Sequence, residues 1–277
     1  MNPLVTISVP VFNGLPYLIE TLESVRNQTY PNLEIVLVDG GSDDTTLDYL
    51  HSIRETVACV EFLPKGTPVA DTWTRSVELS HGEFIKLLCQ DDLLYPWAIK
   101  SQLDFLVGEP QAGLVFSKRD IVNADGMTVA KARGGIPGGT RVLDGREALR
   151  FGYLAGANVY GEPEAVLFRR AALMEQLPWD ASIPYLIDME MYARVMMAGN
   201  VGFLNETVGA FRISSQSWST RLTAEQTEQF RQWQERVSAF LANVTPFERQ
   251  RAKWNAMRVS WTRSAAYAWL RLRGGLN

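Results

Sequence analysis

Two adjacent carboxylates, Asp91 and Asp92, follow an apolar segment of this sequence and could together hold a divalent metal ion. Residues 84–89 are mostly apolar and are preceded by Gly82, which predicts a short buried strand that ends at the two acids. In an open α/β sheet, ligands bind outside the carboxyl ends of the strands. Mg²⁺ and Mn²⁺ prefer oxygen ligands and bind through one or two carboxylates together with substrate phosphates. Taken alone, the pair favours a simpler alternative, in which Asp91 caps the following helix and Asp92 is solvated.

Three other candidates for chemistry lie where predicted elements begin or end. Residues 10–14 form a loop after the first predicted strand, and this placement favours a functional role for Phe12 over a core role. Asp39 ends the second predicted strand before two glycines; it could be a turn former, but its position at a carboxyl end favours function. Asp188 begins a predicted helix and could be no more than its N-cap.

The elements that would position these residues alternate between strands and helices over the first 116 residues. The strands are apolar runs, as expected when both faces of a sheet are covered, and the helices repeat apolar residues at helical spacing. This alternation predicts a doubly wound, mostly parallel α/β sheet. The predicted strands are 4–9, 33–38, 57–63 and 84–89, and the predicted helices end before Pro31 and near residues 53, 79 and 107.

After residue 116 the regular alternation stops. Residues 131–141 are rich in glycine, but no Gly-Lys-Ser/Thr follows, so a phosphate-binding P-loop is excluded and a mobile loop is expected. The other elements that we predict here are a strand pair over 119–129 with a turn at Asp125-Gly126, a strand at 164–169, a helix at 186–198, and strands at 201–204 and 208–212.

Composition limits the class of protein. The 277 residues are 46% hydrophobic and 21% charged with a net charge of −4, which is typical of a globular protein and gives no basic field that would favour nucleic acid. Only two histidines are present, so a histidine-rich zinc site is excluded, and the two cysteines fit a reducing compartment. We find neither a signal peptide nor an apolar run long enough to span a membrane, and therefore expect a cytoplasmic protein.

An ordered set of segments resembles the family-two glycosyltransferases of the GT-A fold. Each segment alone is a weak signal, whereas their order along residues 4–220 is specific. The matching segments are Ile7-Ser8-Val9-Pro10-Val11-Phe12-Asn13, residues 34–44, Gly82-Glu83-Phe84-Ile85 leading to Gln90-Asp91-Asp92, residues 165–170, and residues 188–194.

The resemblance implies a nucleotide-sugar donor, expected to be a UDP-sugar, and Mn²⁺ or Mg²⁺ as cofactor. It assigns Asp92 to the metal and Asp188 to the general base that deprotonates the acceptor hydroxyl, in a direct displacement that inverts the anomeric centre. Phe12 would stack on the base, Asp39 would accept a hydrogen bond from a base N–H, and Asp91 would reach the ribose or the metal. The full set assigned to the nucleotide is Pro10, Val11, Phe12, Asn13, Asp39, Gln90 and Asp91.

Three further residues are weaker candidates for the site. Glu190 lies two residues after Asp188, points elsewhere on the helix, and could be the true base. Trp73 lies in a predicted amphipathic helix, where a core role is more common than a ligand contact. Arg212 stands near the position after which relatives can carry a histidine, and the absence of that histidine implies a metal site that is weaker or completed by water.

Other departures from the family pattern affect the expected chemistry. Gly40 replaces the second acid that often ends the second strand, and Thr74 stands where an asparagine is common. Residues 216–221 do not match the Gln-x-x-Arg-Trp motif of processive polysaccharide synthases. The resemblance therefore implies transfer of a single sugar to a glycan or lipid-linked acceptor, in the synthesis of a surface glycan or polysaccharide.

Two functions of other classes are alternatives. A sugar nucleotidyltransferase needs a glycine-rich phosphate loop directly after the first strand, but residues 10–16 contain one glycine and no basic residue. A non-catalytic nucleotide-binding scaffold would tolerate the loss of Asp92 or Asp188, and both acids are present. A glycosyltransferase is therefore the first hypothesis.

The chain divides into a predicted glycosyltransferase domain and a helical C-terminal extension. The domain covers 1–220, with a nucleotide-binding half at 1–116 and an acceptor-binding half at 117–220, and the extension covers 221–277. Thr223 with Gln226, and Thr245 with Glu248, match the capping boxes that would open the helices of the extension.

The last predicted helix, within residues 246–277, is amphipathic and basic, with seven Lys/Arg and one Glu. We expect its apolar face to pack on the core or on a second subunit, because alanines on this face suit close helix contact. The alternative is weak, peripheral contact with an anionic membrane surface at the cytoplasmic face, near a lipid-linked acceptor. The apolar face comprises Trp254, Met257, Trp261, Ala265, Ala268 and Leu272.

Overall fold

The structure, a computed structural model, describes residues 2–215, 217, 220, 222 and 225–272, with side chains described as far as residue 265. The predictions made for residues 216, 218, 219, 221 and 223, and for the side chains of Ala268 and Leu272, lie outside the described residues.

Ten strands form one mixed sheet at the centre of the protein. They are β1 (Val5–Val11), β2 (Leu33–Asp39), β3 (Cys59–Phe62), β4 (Phe84–Leu87), β5 (Leu93–Leu94), β6 (Ala112–Val122), β7 (Thr128–Arg133), β8 (Arg141–Leu143), β9 (Val166–Arg169) and β10 (Asn200–Arg212). Their spatial order is β3-β2-β1-β4-β9-β6-β10-β5, while β7 pairs with β6 and β8 pairs with β10.

Helices cover both faces of this sheet. They are α1 (Tyr17–Arg26), α2 (Thr46–Ile53), α3 (Val69–Glu78), α4 (Ala98–Gly108), α5 (Gly145–Ala155), α6 (Arg170–Met174), α7 (Ile187–Ala198), α8 (Gln226–Phe240) and α9 (Pro246–Leu272). Short 3₁₀ turns occur at Arg54–Thr56, Pro163–Ala165 and Pro184–Leu186.

Most strands run in one direction. β1 pairs in parallel with β2 and β4, β2 with β3, and β10 with β6. β9 lies antiparallel between β4 and β6, so β6 and β10 keep the direction of β1. The predicted α/β class with a mostly parallel sheet is therefore confirmed. The predicted halves 1–116 and 117–220 share this one sheet, and the division into halves stays a prediction.

Two apolar clusters lie on opposite faces of the sheet. Val5, Ile7 and Val9 of β1 pack with helices α1 and α4. On the other face, Ile85 and Leu87 of β4 pack with helices α3, α5, α7 and α8. This double coverage explains why the strands read as nearly continuous apolar runs.

Three details of the strands differ from the predictions or add to them. The two strands predicted at 201–204 and 208–212 are one strand, β10, whose pairing with β6 shifts register after Leu204. The short strand β5 was not predicted. The turn at Asp125-Gly126 is confirmed, because β6 and β7 form the hairpin and the Gly126 N–H donates to the carbonyl of Asn123 at 3.0 Å.

The two C-terminal helices pack on the core, but not through the face of α9 that we predicted. Phe230 and Trp233 of α8 are buried in the same cluster as α5 and α7. In α9, Ala252 is buried, whereas Trp254 and Trp261 are exposed. The expectation that the face carrying Trp254, Met257 and Trp261 packs on the core is wrong, because the opposite face of the helix makes that contact.

The start of α9 follows its predicted capping box. The Glu248 N–H donates to Thr245 Oγ1 at 3.2 Å, and the Thr245 N–H donates to Glu248 Oε2 at 2.9 Å. Glu248 also accepts hydrogen bonds from Arg150 of α5 at 2.6 Å, which fixes the helix against the core. Over the residues that the structure describes, no helix combines the length and apolar character needed to cross a membrane.

Candidate active site

The parallel pairing of β1 and β2 brings two predicted site segments together at the carboxyl edge of the sheet. Val11, the last residue of β1, lies in register with Asp39, the last residue of β2. The Gly40 N–H donates to the carbonyl of Val11 at 2.7 Å, so the two strands stay paired up to the turn. Pro10 and Val11 are buried in β1, and the loop that carries Phe12 begins directly after them.

Asp39 organises the turn that follows β2. Its Oδ2 atom accepts hydrogen bonds from the N–H groups of Gly41 at 3.0 Å and Ser42 at 2.9 Å. Its Oδ1 atom accepts a hydrogen bond from the Ser42 hydroxyl. Asp39 is almost completely buried, so its turn-forming role is present, and a base N–H would have to share an oxygen that is already bonded. Its contact with the nucleotide stays a prediction.

Gln90 holds the Phe12 loop through both backbone groups of Phe12. The Phe12 N–H donates to Gln90 Oε1 at 2.7 Å, and Gln90 Nε2 donates to the Phe12 carbonyl at 2.8 Å. A Cβ added at Gly14 would lie 2.5 Å from Gln90 Oε1, so a glycine is needed beside this clamp. The Phe12 side chain remains 49% exposed, which leaves an aromatic face open to a ligand. Gln90 therefore positions Phe12, and the stacking of a base on Phe12 stays a prediction.

Asn13 joins the same loop to the turn after β2. Its N–H donates to Ser42 Oγ at 2.8 Å, and its side chain exchanges hydrogen bonds with Asp43 at 2.9 and 3.0 Å. Its backbone has φ of 49°, in the left-handed region that asparagine tolerates better than most residues. Asn13 thus serves the geometry of the loop.

Asp91 and Asp92 lie in the turn between β4 and β5, beneath the end of β10. Asp92 is fully buried: its Oδ1 atom accepts a hydrogen bond from the Arg212 N–H at 2.9 Å, while Oδ2 has no hydrogen-bond partner among the described residues. Asp91 Oδ2 accepts a hydrogen bond from Ser217 Oγ at 3.2 Å. Helix α4 has Trp97 at its N-cap, so the alternative of Asp91 as a helix cap with a solvated Asp92 is wrong.

Burial sets the protonation of this acid pair. It raises the pKa of Asp92 well above the ordinary value, and the charges of Glu164 and Asp91 raise it further. Burial also raises the pKa of Asp91, against the opposing effects of the Ser217 hydrogen bond and the Arg212 charge. A cation placed between the two carboxylates would offset both effects.

Arg212 supports the turn that carries the acid pair, and its guanidinium is not free to bind a ligand. Its Nε donates to the Asp91 carbonyl at 3.0 Å and its Nη2 to Glu20 at 2.6 Å, while its guanidinium lies 4.6 Å from the ring centre of Tyr17. Nη1 donates to the Ala124 carbonyl at 2.9 Å. Because every guanidinium nitrogen is used, Arg212 orients the turn that carries the acids.

Asp188 lies near the start of α7 as a buried carboxylate. Burial, followed by the charge of Glu162, raises its pKa from 3.8 to about 7. Its Oδ1 atom accepts a hydrogen bond from the Met189 N–H at 2.7 Å, and Oδ2 lies 3.4 Å from Asn158 Nδ2. The helix N-cap is Leu186, so the alternative that Asp188 is only an N-cap is wrong. A carboxylate with a pKa near neutrality is suited to accept a proton during a reaction.

Four residues that the sequence interpretation missed connect the two acidic sites: Asn158, Arg119, Glu162 and Glu164. Arg119 binds Glu162 through two hydrogen bonds, of 2.5 and 2.9 Å, and both side chains are largely buried. Glu162 raises the pKa of both Asp92 and Asp188, so the acids belong to one electrostatic site. No local signal marks Arg119 or Asn158, whereas the acids that interrupt the apolar approach to β9 could have been noticed.

Glu164 and Lys86 add a buried pair of ionisable groups behind this site. Lys86 Nζ donates to Gln102 Oε1 at 2.5 Å and to the Glu164 carbonyl at 2.8 Å. Burial lowers the pKa of Lys86 to about 7 and raises the pKa of Glu164 to about 8. Both carboxylate oxygens of Glu164 are buried without a hydrogen-bond partner among the described residues.

Two weaker candidates lie away from the acid cluster. Glu190 Oε1 lies 3.0 Å from Nη1 of Arg236 on α8, so its carboxylate is already paired. Trp73 is half-buried against the core and packs edge-to-face on Trp179 with ring centres 5.0 Å apart. Glu190 therefore has an ion pair and Trp73 a packing contact, and their roles in binding or catalysis stay predictions.

The sequence model of the family described as Glycosyl transferase family 2 matches residues 6–176. The chain belongs to glycosyl transferase family 2. This membership confirms the family suggested by the ordered segments. The matched range includes Phe12, Asp39 and the acid pair.

Curated relatives of this family-2 chain match it over stretches of different length. An uncharacterized glycosyltransferase of Rickettsia typhi is 33% identical over 105 residues, which are 38% of this chain and 32% of that protein. The chondroitin synthase of Escherichia coli is 30% identical over 129 residues, which are 46% of this chain and 19% of the synthase. The chain thus spans well under half the length of these relatives.

Solved structures with the same fold include two that hold a nucleotide sugar. S. aureus TarS 1–349 in complex with UDP-GlcNAc superposes with a TM-score of 0.65 at 17% identity, over 90% of this chain and 69% of that chain. The mannosyltransferase PcManGT from Pyrobaculum calidifontis, in complex with GDP-Man and Mn²⁺, gives a TM-score of 0.56 at 17% identity, over 98% and 81%. These likenesses support the GT-A fold of this family-2 protein.

The acid pair fits a divalent metal of the kind that shares its shell with phosphate. Asp92 Oδ2 is a buried carboxylate oxygen without a hydrogen-bond partner in the described part of the chain, and Asp91 supplies a second carboxylate beside it. Among the described residues, no three acidic, histidine or cysteine side chains form a group that could hold a metal alone. Proteins commonly bind Mg²⁺ and Mn²⁺ through one or two carboxylates, and substrate phosphates complete the coordination shell.

Proposed function

We propose that this family-2 protein is an inverting, metal-dependent glycosyltransferase that moves a single sugar from a nucleoside-diphosphate donor to an acceptor hydroxyl. The observation that carries the proposal is Asp188, a buried carboxylate whose pKa is raised to about 7 and whose electrostatic neighbour Glu162 also acts on Asp92. One site thus combines a base of suitable strength with an acid pair suited to a metal–diphosphate group.

In the proposed reaction, Asp188 takes the proton of the acceptor hydroxyl as its oxygen attacks the anomeric carbon. The bond from that carbon to the diphosphate oxygen breaks, its electron pair leaves with the nucleoside diphosphate, and the anomeric configuration inverts. Asn158, close to Asp188 Oδ2, keeps the carboxylate in one orientation. A base placed in this way contributes on the order of 10²–10⁴-fold to the rate.

The residues on the donor side of the site bind and orient the nucleotide sugar. Phe12 offers its exposed ring to the base, with Gln90 fixing its backbone, and Asp39 shapes the adjoining turn. Asp92 and Asp91 would hold Mn²⁺ or Mg²⁺ together with the diphosphate. When bound, such an ion neutralises the charge that develops on the leaving diphosphate.

The finer identity of the substrates is part of this proposal. A UDP-sugar is the expected donor, supported by the UDP-GlcNAc complex of TarS, while the GDP-Man and Mn²⁺ complex of PcManGT provides the other base to test. We expect a glycan or lipid-linked acceptor in surface-glycan or polysaccharide synthesis, and action at the cytoplasmic face of a membrane. A sugar nucleotidyltransferase and a non-catalytic nucleotide-binding scaffold remain the alternatives.

A donor screen tests the proposed function. The protein is incubated with UDP- and GDP-sugars in Mn²⁺, Mg²⁺ or a chelator, and release of the nucleoside diphosphate is measured. We expect release from one donor class that requires the metal and is reduced at least about 100-fold in Asp188→Asn, with donor affinity by calorimetry unchanged.

The matched control is Glu190→Gln on the same helix. Because Glu190 is paired with Arg236, this variant should retain turnover. Normal turnover in Asp188→Asn with an inactive Glu190→Gln would transfer the base role to Glu190. Failure of every donor to bind with either metal would refute the proposed function.

A further inference from the structure

Helix α9 contacts the rest of the protein through one face of small and polar residues. Asn255 Nδ2 donates to the carbonyl of Leu154 at 2.8 Å, and Gln234 of α8 donates to the carbonyl of Ala252 at 3.2 Å. A Cβ added at Gly156 would lie 2.3 Å from the backbone nitrogen of Ala256, so the helix backbone lies directly against this glycine. The packing face is therefore defined by Ala252, Asn255 and Ala256.

The opposite face of α9 exposes four large apolar side chains, which we call the apolar stripe. They are Phe247 at 75%, Trp254 at 61%, Met257 at 48% and Trp261 at 77% exposure. Their spacing of seven, three and four residues places them along one side of a helix. From residue 247 to residue 261 this side extends about 21 Å at 1.5 Å per residue.

Exposed cations flank the apolar stripe on both sides. At 100° per residue, Arg251 and Arg258 lie on one flank and Lys253 on the other, and all three are exposed. Glu248, the acid at the start of the helix, is turned to the core and paired with Arg150. The stripe is therefore bordered by positive charge in a chain whose net charge is −4.

We propose that the apolar stripe binds an anionic lipid surface, with α9 lying in the plane of the membrane. The charge pattern favours lipid phosphates as the partner of Arg251, Arg258 and Lys253, while tryptophan rings suit the headgroup level. A second copy of this chain fits less well, because a two-fold contact places the same basic flanks against each other. This surface would provide the membrane contact that the proposed function expects, but it does not depend on the proposed reaction.

The packing face of α9 is connected to the segment that leads into the candidate base. Arg263, near the end of the described side chains of α9, donates from Nη1 to the Tyr185 hydroxyl at 2.7 Å. Tyr185 belongs to the 3₁₀ turn Pro184–Leu186, which leads directly into α7 and Asp188. The contact between Arg263 and Tyr185 therefore joins the packing face of α9, opposite the apolar stripe, to the segment that leads into Asp188.

The experiment is vesicle flotation of the full chain, without donor or metal. Vesicles of phosphatidylcholine alone are compared with vesicles of phosphatidylcholine mixed with phosphatidylglycerol, at low and high salt. We expect binding to the anionic vesicles only, with release at high salt because the Debye length shortens to about 3 Å at 1 M.

Two double variants test which residues bind. Arg251→Gln with Arg258→Gln should weaken binding about 25-fold, at about fivefold for each cation near an anionic surface. Trp254→Ser with Trp261→Ser should weaken it by more than about tenfold. The matched control is Arg26→Gln with Arg54→Gln, which removes two exposed cations elsewhere and should bind like the unaltered chain. Thermal unfolding of each variant verifies that these exposed positions do not affect folding.

Three results would overturn the proposal. The first is no binding to anionic vesicles at low salt. The second is binding that the two stripe variants weaken no more than the Arg26 and Arg54 control does. The third is a dimer in solution, measured by light scattering, that the Trp254 and Trp261 variant converts to a monomer, since this result assigns the stripe to a second copy.

Discussion

Replacing Asp188 by asparagine should abolish turnover and at the same time stabilise the fold at alkaline pH. The physical reason is that burial and the charge of Glu162 raise the pKa of Asp188 from 3.8 to about 7. The folded protein therefore binds this proton more tightly than the unfolded chain between about pH 4 and pH 7. Its contribution to stability is fully present at low pH and is lost as the pH rises through the folded pKa.

The size of the effect follows from the same two pKa values. The difference between 3.8 and about 7 corresponds to about 4 kcal/mol at about 1.36 kcal/mol per pH unit. An asparagine side chain at this position would be neutral at every pH, and it keeps the shape of the aspartate and an acceptor oxygen for the Met189 N–H. We therefore expect Asp188→Asn to gain up to about 4 kcal/mol at about pH 8 and almost nothing at about pH 4.

The assay is denaturant unfolding of both proteins at about pH 4.5, 6, 7 and 8 in a chelating buffer. The difference in the free energy of unfolding between the two proteins reports on Asp188, because the other buried acids titrate in both proteins. Glu190→Gln is the control, and its free energy of unfolding should change in the opposite direction. It removes the ion pair with Arg236 and should lower the free energy of unfolding by about 1–3 kcal/mol. An Asp188→Asn protein that is no more stable than the parent at about pH 8 would refute the raised pKa.

Three further predictions concern the neighbouring residues. Asp92→Asn should lose metal-dependent binding of a nucleoside diphosphate, and calorimetric titration with unchanged metal dependence would remove Asp92 from the metal site. Phe12→Ala should raise the donor KM about tenfold with little change in kcat, because base stacking on an aromatic ring contributes about 1–3 kcal/mol; an unaltered KM would contradict the stacking role. Glu162→Gln should shift the acidic limb of the kcat/KM profile to lower pH, because it removes a negative charge that raises the pKa of Asp188, and an unmoved limb would place the base elsewhere.

The carboxyl edge of the sheet could be predicted because its signals are local. The strands β1, β2 and β4 are short apolar runs that end at turn residues, and the parallel alternation places those ends side by side. Phe12, Asp39 and the acid pair therefore appear on one edge before any contact is known. What the sequence could not supply is the partner of each polar group: Gln90 was assigned to the nucleotide, but its amide bonds the Phe12 backbone.

The electrostatic environment of Asp188 could not be predicted, because distant segments assemble it. Arg119 and Glu162 are separated by 43 residues along the chain and meet only when β6 and the segment before β9 are placed side by side. Each looks like an ordinary surface charge in the sequence. The burial that raises the pKa of Asp188 depends on this tertiary packing and has no periodic pattern to reveal it.

Helix α9 shows why a correct periodicity can assign the wrong face to the core. The spacing of Trp254, Met257 and Trp261 identified an apolar side, and apolar sides are usually buried. The opposite side packs instead because Gly156 lets the α9 backbone approach closely at Ala256, and close contact between backbones favours small side chains over tryptophan. Hydrophobicity alone cannot distinguish a helix face that packs on the protein core from a helix face that binds a lipid surface.

The buried carboxylates connect the stability of this protein with its chemistry. Asp92, Asp188 and Glu164 each carry a pKa raised by burial, and each therefore disfavours the folded state once ionised near neutral pH. Replacement by amides would relieve that cost, yet an amide can neither take a proton nor supply a charged metal ligand. Under the proposed function, the reaction rather than the fold explains Asp188 and Asp92, and a bound metal–diphosphate should stabilise the folded protein according to its concentration and affinity.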